Sequence, residues 1–231
     1  MNRSWIMGLG LVLAGPAGGA GEWVGIPAHE TRAGPAGGFE MGRCEVTVGE
    51  FMEYLEQGEV REFPETEQIE RRRDGRLRAR RGTRRQAVAE VTVEEAEAYC
   101  RWLSRRTGCR VRLPTGAEWE VAARGGLDGA PYPWGWGADP RKMARFDAPG
   151  PAARVGSYAP NGFGLRDMAG NLYEWCAAEP GEPAGQRMAR GGGWPERDRS
   201  LLKVDGRMPF PAAYRGRDVG FRLLRERERQ R

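Results

Sequence analysis

Histidine and lysine are scarce in this chain. His29 is the only imidazole, and Lys142 and Lys203 are the only amine side chains among 37 basic residues. A single imidazole excludes sites that need two or three, including the two-His-one-carboxylate iron triad and His-based zinc centres. A Ser-His-Asp triad would have to be built on His29. The four cysteines, Cys44, Cys100, Cys109 and Cys176, contain no C-x-x-C spacing, which argues against zinc ribbons and thioredoxin-like chemistry. Long apolar runs are missing too. Trp5 to Ala14 is too short to span a bilayer. Placed between Arg3 and the small residues Gly18-Gly19-Ala20, it reads as the core of a cleaved export signal over residues 1–20. No cysteine near the cut supplies a lipobox, so the mature protein is expected to be periplasmic or secreted, without a membrane anchor. Disulfides persist in such a compartment.

What the chain does hold is glycine, proline, tryptophan and arginine. With 35 Gly, 16 Pro and 8 Trp in 231 residues, it reads as a loop-rich globular domain, because so many large rings require a core. Residues 21–37 read as a linker, 38–225 as the domain and 226–231 as a charged tail. Three Thr-x-x-Glu capping boxes mark helix starts. Thr47 and Glu50 open a helix with Phe51, Tyr54 and Leu55 on one face, stopped by Gly58. Thr92 and Glu95 open a second, with Ala96, Tyr99, Cys100 and Leu103 in register, ended by Gly108. Thr115 and Glu118 open a third, with Trp119 and Ala122 inward and Gly125-Gly126 at its end. Beyond Gly126 no helix-length period survives, and short strands broken by Gly, Pro and Asn are expected. Trp134 and Trp136 offer rings for stacking a sugar or for capping the core.

Between the first two helices, Arg71 to Arg85 holds nine arginines against one acid, Asp74. Such a run repels itself and stays out of a core. It reads either as a solvated insertion over residues 59–86 or as a surface for an anionic ligand. No aromatic residue is interleaved with the arginines, which disfavours a base-stacking platform for nucleic acid.

Several motifs in order carry a family likeness. They are Cys44-Glu45-Val46-Thr47, Ala98-Tyr99-Cys100-Arg101-Trp102-Leu103, Arg112-Leu113-Pro114-Thr115 and Ala122-Ala123-Arg124-Gly125-Gly126. Tyr132-Pro133-Trp134-Gly135, Asn161-Gly162-Phe163-Gly164-Leu165, Asp167-Met168-Ala169-Gly170-Asn171 with Glu174-Trp175, Arg190 to Trp194, and Gly220-Phe221-Arg222 follow. Together they resemble the formylglycine-generating enzyme (sulfatase-modifying factor) family over residues 38–225. The resemblance implies an α+β, C-type-lectin-like fold with few helices and small antiparallel sheets.

The resemblance also implies a site, and here the chain departs from the pattern. Formylglycine generation in the family uses a copper-binding cysteine pair spaced five apart after the Gly-Gly motif. Glu196 and Leu201 occupy those positions. Neither offers the soft thiolate that Cu(I) needs, and no copper or iron is expected. Glu196, with an arginine such as Arg190 or Arg215 beside it, is the one candidate general base. The family's calcium loop maps onto Asp167, Gly170, Leu172 and Glu174, whose carboxylates and carbonyls suit a hard cation. Arg145 stands where a second calcium site would need asparagine. The four cysteines leave three pairings open, among them Cys100 with Cys109 and Cys44 with Cys176. In some relatives the residue matching Cys100 pairs with a cysteine just past the Gly-Phe-Arg motif, where Leu223 stands here. The functional expectation is an exported binding or accessory module with an unidentified protein or anionic partner. A copper-independent oxidoreductase or maturation factor is the alternative, and formylglycine generation comes last.

Overall fold

The computed structural model describes residues 22–31, 34–57, 60 and 62–226. The export signal, the Gly58 stop and residues 227–231 of the tail lie outside them. The three capped helices are α1 (Val48–Gln57), α2 (Val93–Thr107) and α3 (Gly116–Arg124), followed by the single-turn α4 (Pro140–Met143). Each Thr-Glu pair closes a reciprocal box. Thr47 N–H donates to Glu50 Oε2 at 2.8 Å while Glu50 N–H donates to Thr47 Oγ1, and Thr92–Glu95 and Thr115–Glu118 do the same. Gly108 and Gly125 end α2 and α3 in the left-handed conformation, as glycine allows.

Two four-stranded sheets carry the rest. The first contains β1 (Trp23–Ile26), β4 (Phe39–Gly42), β12 (Leu224–Glu226) and β7 (Val111–Arg112), in that spatial order. The second runs β10 (Arg207–Pro211), β9 (Gln186–Arg190), β8 (Tyr173–Trp175) and β11 (Val219–Gly220), antiparallel except for the β8–β11 pair. Two hairpins stand apart, β2 (His29–Thr31) with β3 (Gly34–Ala36), and β5 (Ile69–Arg71) with β6 (Leu77–Ala79). The main core joins α1 and α2 to the second sheet. Phe51 stacks on Tyr99 at 5.8 Å, and Tyr99 meets Phe221 edge-on at 5.4 Å.

The expected linker over residues 21–37 is a misreading of the strands. Val24 and Ile26 are buried while Gly25 between them is exposed, a period of two too short to stand out from the glycine-rich surroundings. The tail likewise starts later than residue 226, because Glu226 belongs to β12 and takes hydrogen bonds from Arg112 and Arg110 at 3.0 and 3.2 Å. The arginine-rich insertion is a folded hairpin. Phe63 and Ile69 are buried at its base, and Gln68 reaches across to Ala87 O and Ala89 N, each at 2.8 Å. Its apolar residues flank the arginine run or alternate within it, so the anchor and the charge share one segment.

Candidate functional site

Strand β8 places two neighbouring side chains on opposite sides, as the pleat requires. Glu174 points into the protein and Tyr173 toward the loop that follows Gly191-Gly192-Gly193. The inward side is a buried polar hub. Glu174 Oε1 accepts from Arg222 Nη2 at 2.6 Å, and its Oε2 accepts from Arg222 Nε at 2.7 Å and Trp119 Nε1 at 2.6 Å. Arg222 is fully buried, and its remaining N–H groups donate to the carbonyls of Gly42, Arg43, Arg166 and Asp167. Burial disfavours the guanidinium charge, but Glu174 outweighs that cost and its pKa is raised. One arginine therefore ties together β4, β8 and the turn at residues 166–167.

Two further acids lie within the field of this ion pair. Asp167, at φ +56°, accepts from the backbone N–H of Gly156 and Tyr158. Burial pushes its carboxyl up, while those amides and Arg222 work against the rise. Glu45 is fully buried; its Oε1 accepts from Asn171 Nδ2 at 2.7 Å, and its Oε2 has no partner among the described residues. Burial first, then the Asp167 charge, raises its carboxyl well above the usual range. Gly170 closes the turn with φ +71°, where a Cβ would come within 2.5 Å of the Arg145 carbonyl oxygen. Only glycine fits there.

This geometry does not fit the calcium expected at Asp167, Gly170, Leu172 and Glu174. A cation bound to Glu174 would face the Arg222 guanidinium, and the Asp167 oxygens are turned to backbone amides. The motif carries a carboxylate with the right spacing, but its counter-charge comes from Arg222, distant in sequence. Arg145 donates to the carbonyls of Pro149 and Pro151 at 2.6 and 2.9 Å, so its guanidinium is spent on loop closure.

The opposite face of β8 carries Tyr173, buried in the main core, against the segment that holds the altered positions Glu196 and Leu201. Glu196 is half-buried, and its Oε2 accepts from the Tyr173 hydroxyl at 3.0 Å. Burial, then the Glu196 charge, raises the Tyr173 pKa, which keeps the hydroxyl a donor. The 3-10 turn Arg199–Leu202 is capped by Asp198 Oδ1, which accepts from Ser200 N–H at 2.9 Å. Leu201 packs against the main core. The arginines expected beside Glu196 are bonded elsewhere: Arg190 donates to Val204 O and faces Glu120, and Arg215 pairs with Glu95 at 2.6 Å. Tyr173 is the residue the sequence reading missed. The alternation about Glu174 was the available signal, since neighbouring side chains of a strand face opposite sides of the sheet.

The cysteines do not replace the missing pair. All four are unbridged thiols, with Cys44, Cys100 and Cys176 buried and Cys109 half-buried. Burial pushes Cys44 up to about 12 and raises Cys100 and Cys176 as well, so these three are small core side chains rather than nucleophiles. Trp134 stacks on Tyr132 with centroids 4.9 Å apart, whereas Trp136 is 62% exposed. One ring caps the core and the other does not.

Capped helices beside small sheets, a Glu–Arg hub built from the motifs that carry the resemblance, and an irregular loop after the triple glycine together define an α+β domain of the formylglycine-generating type. The chain belongs to the family described as sulfatase-modifying factor enzyme 1-like domain, whose model matches residues 8–227. That match begins ahead of residue 38, in line with β1 being part of the domain. A formylglycine-generating enzyme of Thermomonospora curvata is 43% identical over 104 residues, covering 39% of this chain and 32% of that protein. An inactive C-alpha-formylglycine-generating enzyme 2 of Mus musculus is 39% identical over 121 residues, covering 46% and 37%. The matches thus span about a third of the length of these curated relatives. The solved structure of PvdO from Pseudomonas aeruginosa superposes with a TM-score of 0.71 at 29% identity, over 88% of this chain and 94% of that one.

Proposed function

We propose that this chain is an exported, catalytically degenerate family member that acts as a binding or accessory module. The observation that carries the reading is the pair of residues at the family's cysteine positions. Glu196 is a hard oxygen ligand engaged with Tyr173, and Leu201 is a partly buried hydrocarbon packed against the core. Together they offer no soft donors for Cu(I). The name of the mouse relative, an inactive member, is consistent with loss of activity on this fold. Recognition falls to the segment after the triple glycine, where half-buried Glu196 and the exposed turn residues Arg197 to Ser200 reach the surface, and Tyr173, itself buried, holds Glu196 in place.

The test is metal analysis of the purified protein by mass spectrometry, with oxygen uptake followed on a cysteine-containing sulfatase-motif peptide. The expected result is substoichiometric copper and no uptake. Copper near one per chain with turnover overturns the reading. The Tyr173–Glu196 hydrogen bond favours one second reading, a copper-independent enzyme in which Glu196 exchanges a proton with substrate through or beside Tyr173. Metal-independent turnover abolished in both Glu196→Gln and Tyr173→Phe would replace the module with that enzyme.

A further inference from the structure

The hairpin between α1 and α2 carries a charge that the rest of the molecule does not neutralise. Some of its arginines are spoken for: Arg78 and Arg80 pair with Glu70, Arg71 donates to the carbonyls of Phe63 and Gly75, and Arg72 lies 3.7 Å from Asp74. Among the described residues, Arg73, Arg76, Arg81, Arg84 and Arg85 have no carboxylate within ion-pair distance, and all five side chains are exposed. Arg72, Arg73 and Arg78 surround a shallow, open basin with Asp74. A Cβ placed on Gly75 or Gly82 would meet no atom within 4 Å beyond its chain neighbours, so the tip and the following turn stand clear of their surroundings. The base is fixed by Phe63, Ile69 and the Gln68 hydrogen bonds, which holds the arginines on a folded platform.

We propose that this hairpin is a docking surface for an anionic phospholipid bilayer, engaged at the level of the headgroup phosphates. Three features on the surface select that occupant. The residues are all arginine, with no lysine between 62 and 86, and a planar guanidinium grips a phosphate through two parallel hydrogen bonds. The tip is exposed and its concavity shallow and open, so a flat surface of phosphates can reach the arginines. No aromatic residue occurs from 64 to 86, so nothing is available to stack on sugar rings or bases, and no exposed aliphatic side chain is there to enter the acyl region. The attraction is therefore electrostatic and fades within a Debye length, about 10 Å at 0.1 M salt. The inference stands on the hairpin alone and holds whether or not the cleft retains chemistry.

Vesicle co-sedimentation of the mature full chain tests it, with phosphatidylcholine vesicles and with the same lipid containing about 30% phosphatidylglycerol. Binding is expected only to the anionic vesicles at ~50 mM salt and is expected to vanish by ~500 mM. Each arginine contributes about fivefold near an anionic surface, so Arg73→Gln/Arg76→Gln/Arg81→Gln together should weaken binding on the order of 100-fold. The same loss of charge placed elsewhere, as Arg101→Gln/Arg197→Gln/Arg207→Gln, should change it by about twofold or less. Unchanged near-ultraviolet circular dichroism in both variants establishes that they are folded. The proposal is overturned if the wild-type chain ignores anionic vesicles at low salt, or if the two triple variants behave alike. Capture of soluble dextran sulfate without capture of vesicles also overturns it, and assigns the surface to a polymer instead. Failure here leaves the metal and oxygen-uptake result untouched, so the two readings fall separately.

Discussion

The two faces of β8 are one residue apart in sequence and opposite in character. Facing inward, Glu174 is locked by Arg222 and Trp119 in a site with no room for alternatives. On the opposite face, buried Tyr173 meets Glu196 on an irregular segment held by scattered loop contacts: Asp147 N–H donates to Glu196 O, Arg199 donates to the Tyr132 hydroxyl, and Asp198 caps the turn. The contrast shows why the family can be read so plainly in a chain that lacks the family's thiols. Many of the motifs that define the likeness, the capping boxes, Gly170-Asn171, Glu174 and Gly-Phe-Arg, serve the fold. The copper site hangs on a loop that the hub supports but does not specify.

The largest expected effect comes from breaking the hub. Arg222→Met leaves Glu174 buried without its counter-ion and should cost about 3–5 kcal/mol, seen as a drop in the urea midpoint. Adding Glu174→Gln to that variant should restore part of the loss; a double variant no better than the single would show that Arg222 acts through the four carbonyls instead. Trp119→Phe, which removes one donor to Glu174, should cost about 1–3 kcal/mol in the same measurement. Glu45 gives the comparison a pH axis. Burial raises its folded carboxyl above the unfolded value, so its stabilisation is complete below the ordinary carboxylate range and is lost as pH rises toward the folded value. Asp167 works in the same direction. Stability should therefore fall with a slope of up to about 1.4 kcal/mol per pH unit for each group, and Glu45→Gln should flatten it. A wild-type profile that rises with pH across this window would contradict the arrangement. On the outward face, Glu196→Gln should move stability by about 0.5 kcal/mol or less. Smallest of all, millimolar calcium or EDTA should shift Tm by less than about 1 °C, since both carboxylates of the expected cation loop are already engaged.

Much of this was legible beforehand. Thr-x-x-Glu followed by apolar spacing is a local signal, and α1, α2 and α3 begin where it places them. Glu196 and Leu201 at the cysteine positions were likewise readable from spacing alone. Other features depend on partners distant in sequence. Asp167 and Glu174 look like cation ligands until Arg222 is seen between the elements they join, and no local pattern reveals that meeting. Glu196 seemed to call for an arginine, yet Arg190 and Arg215 find Glu120 and Glu95 first. Strand β1 escaped notice because four residues are too few for alternation to be distinguished from chance, and its place is set by pairing with β4. The arginine-rich segment was read by charge, which hid the two buried side chains that fold it.

The order of the first sheet sets a condition on how the molecule comes into being. Strand β12 is synthesised after every other described strand, yet it lies inside the sheet, between β4 and β7. Until residues 224–226 arrive, β7 has no partner and β4 is paired on one edge only, so a growing chain cannot close its first sheet while it is still being made. Contacts between such distant stretches are the slow ones to form. The polypeptide must therefore linger in an open form, with apolar surface showing, for at least as long as its own translation takes.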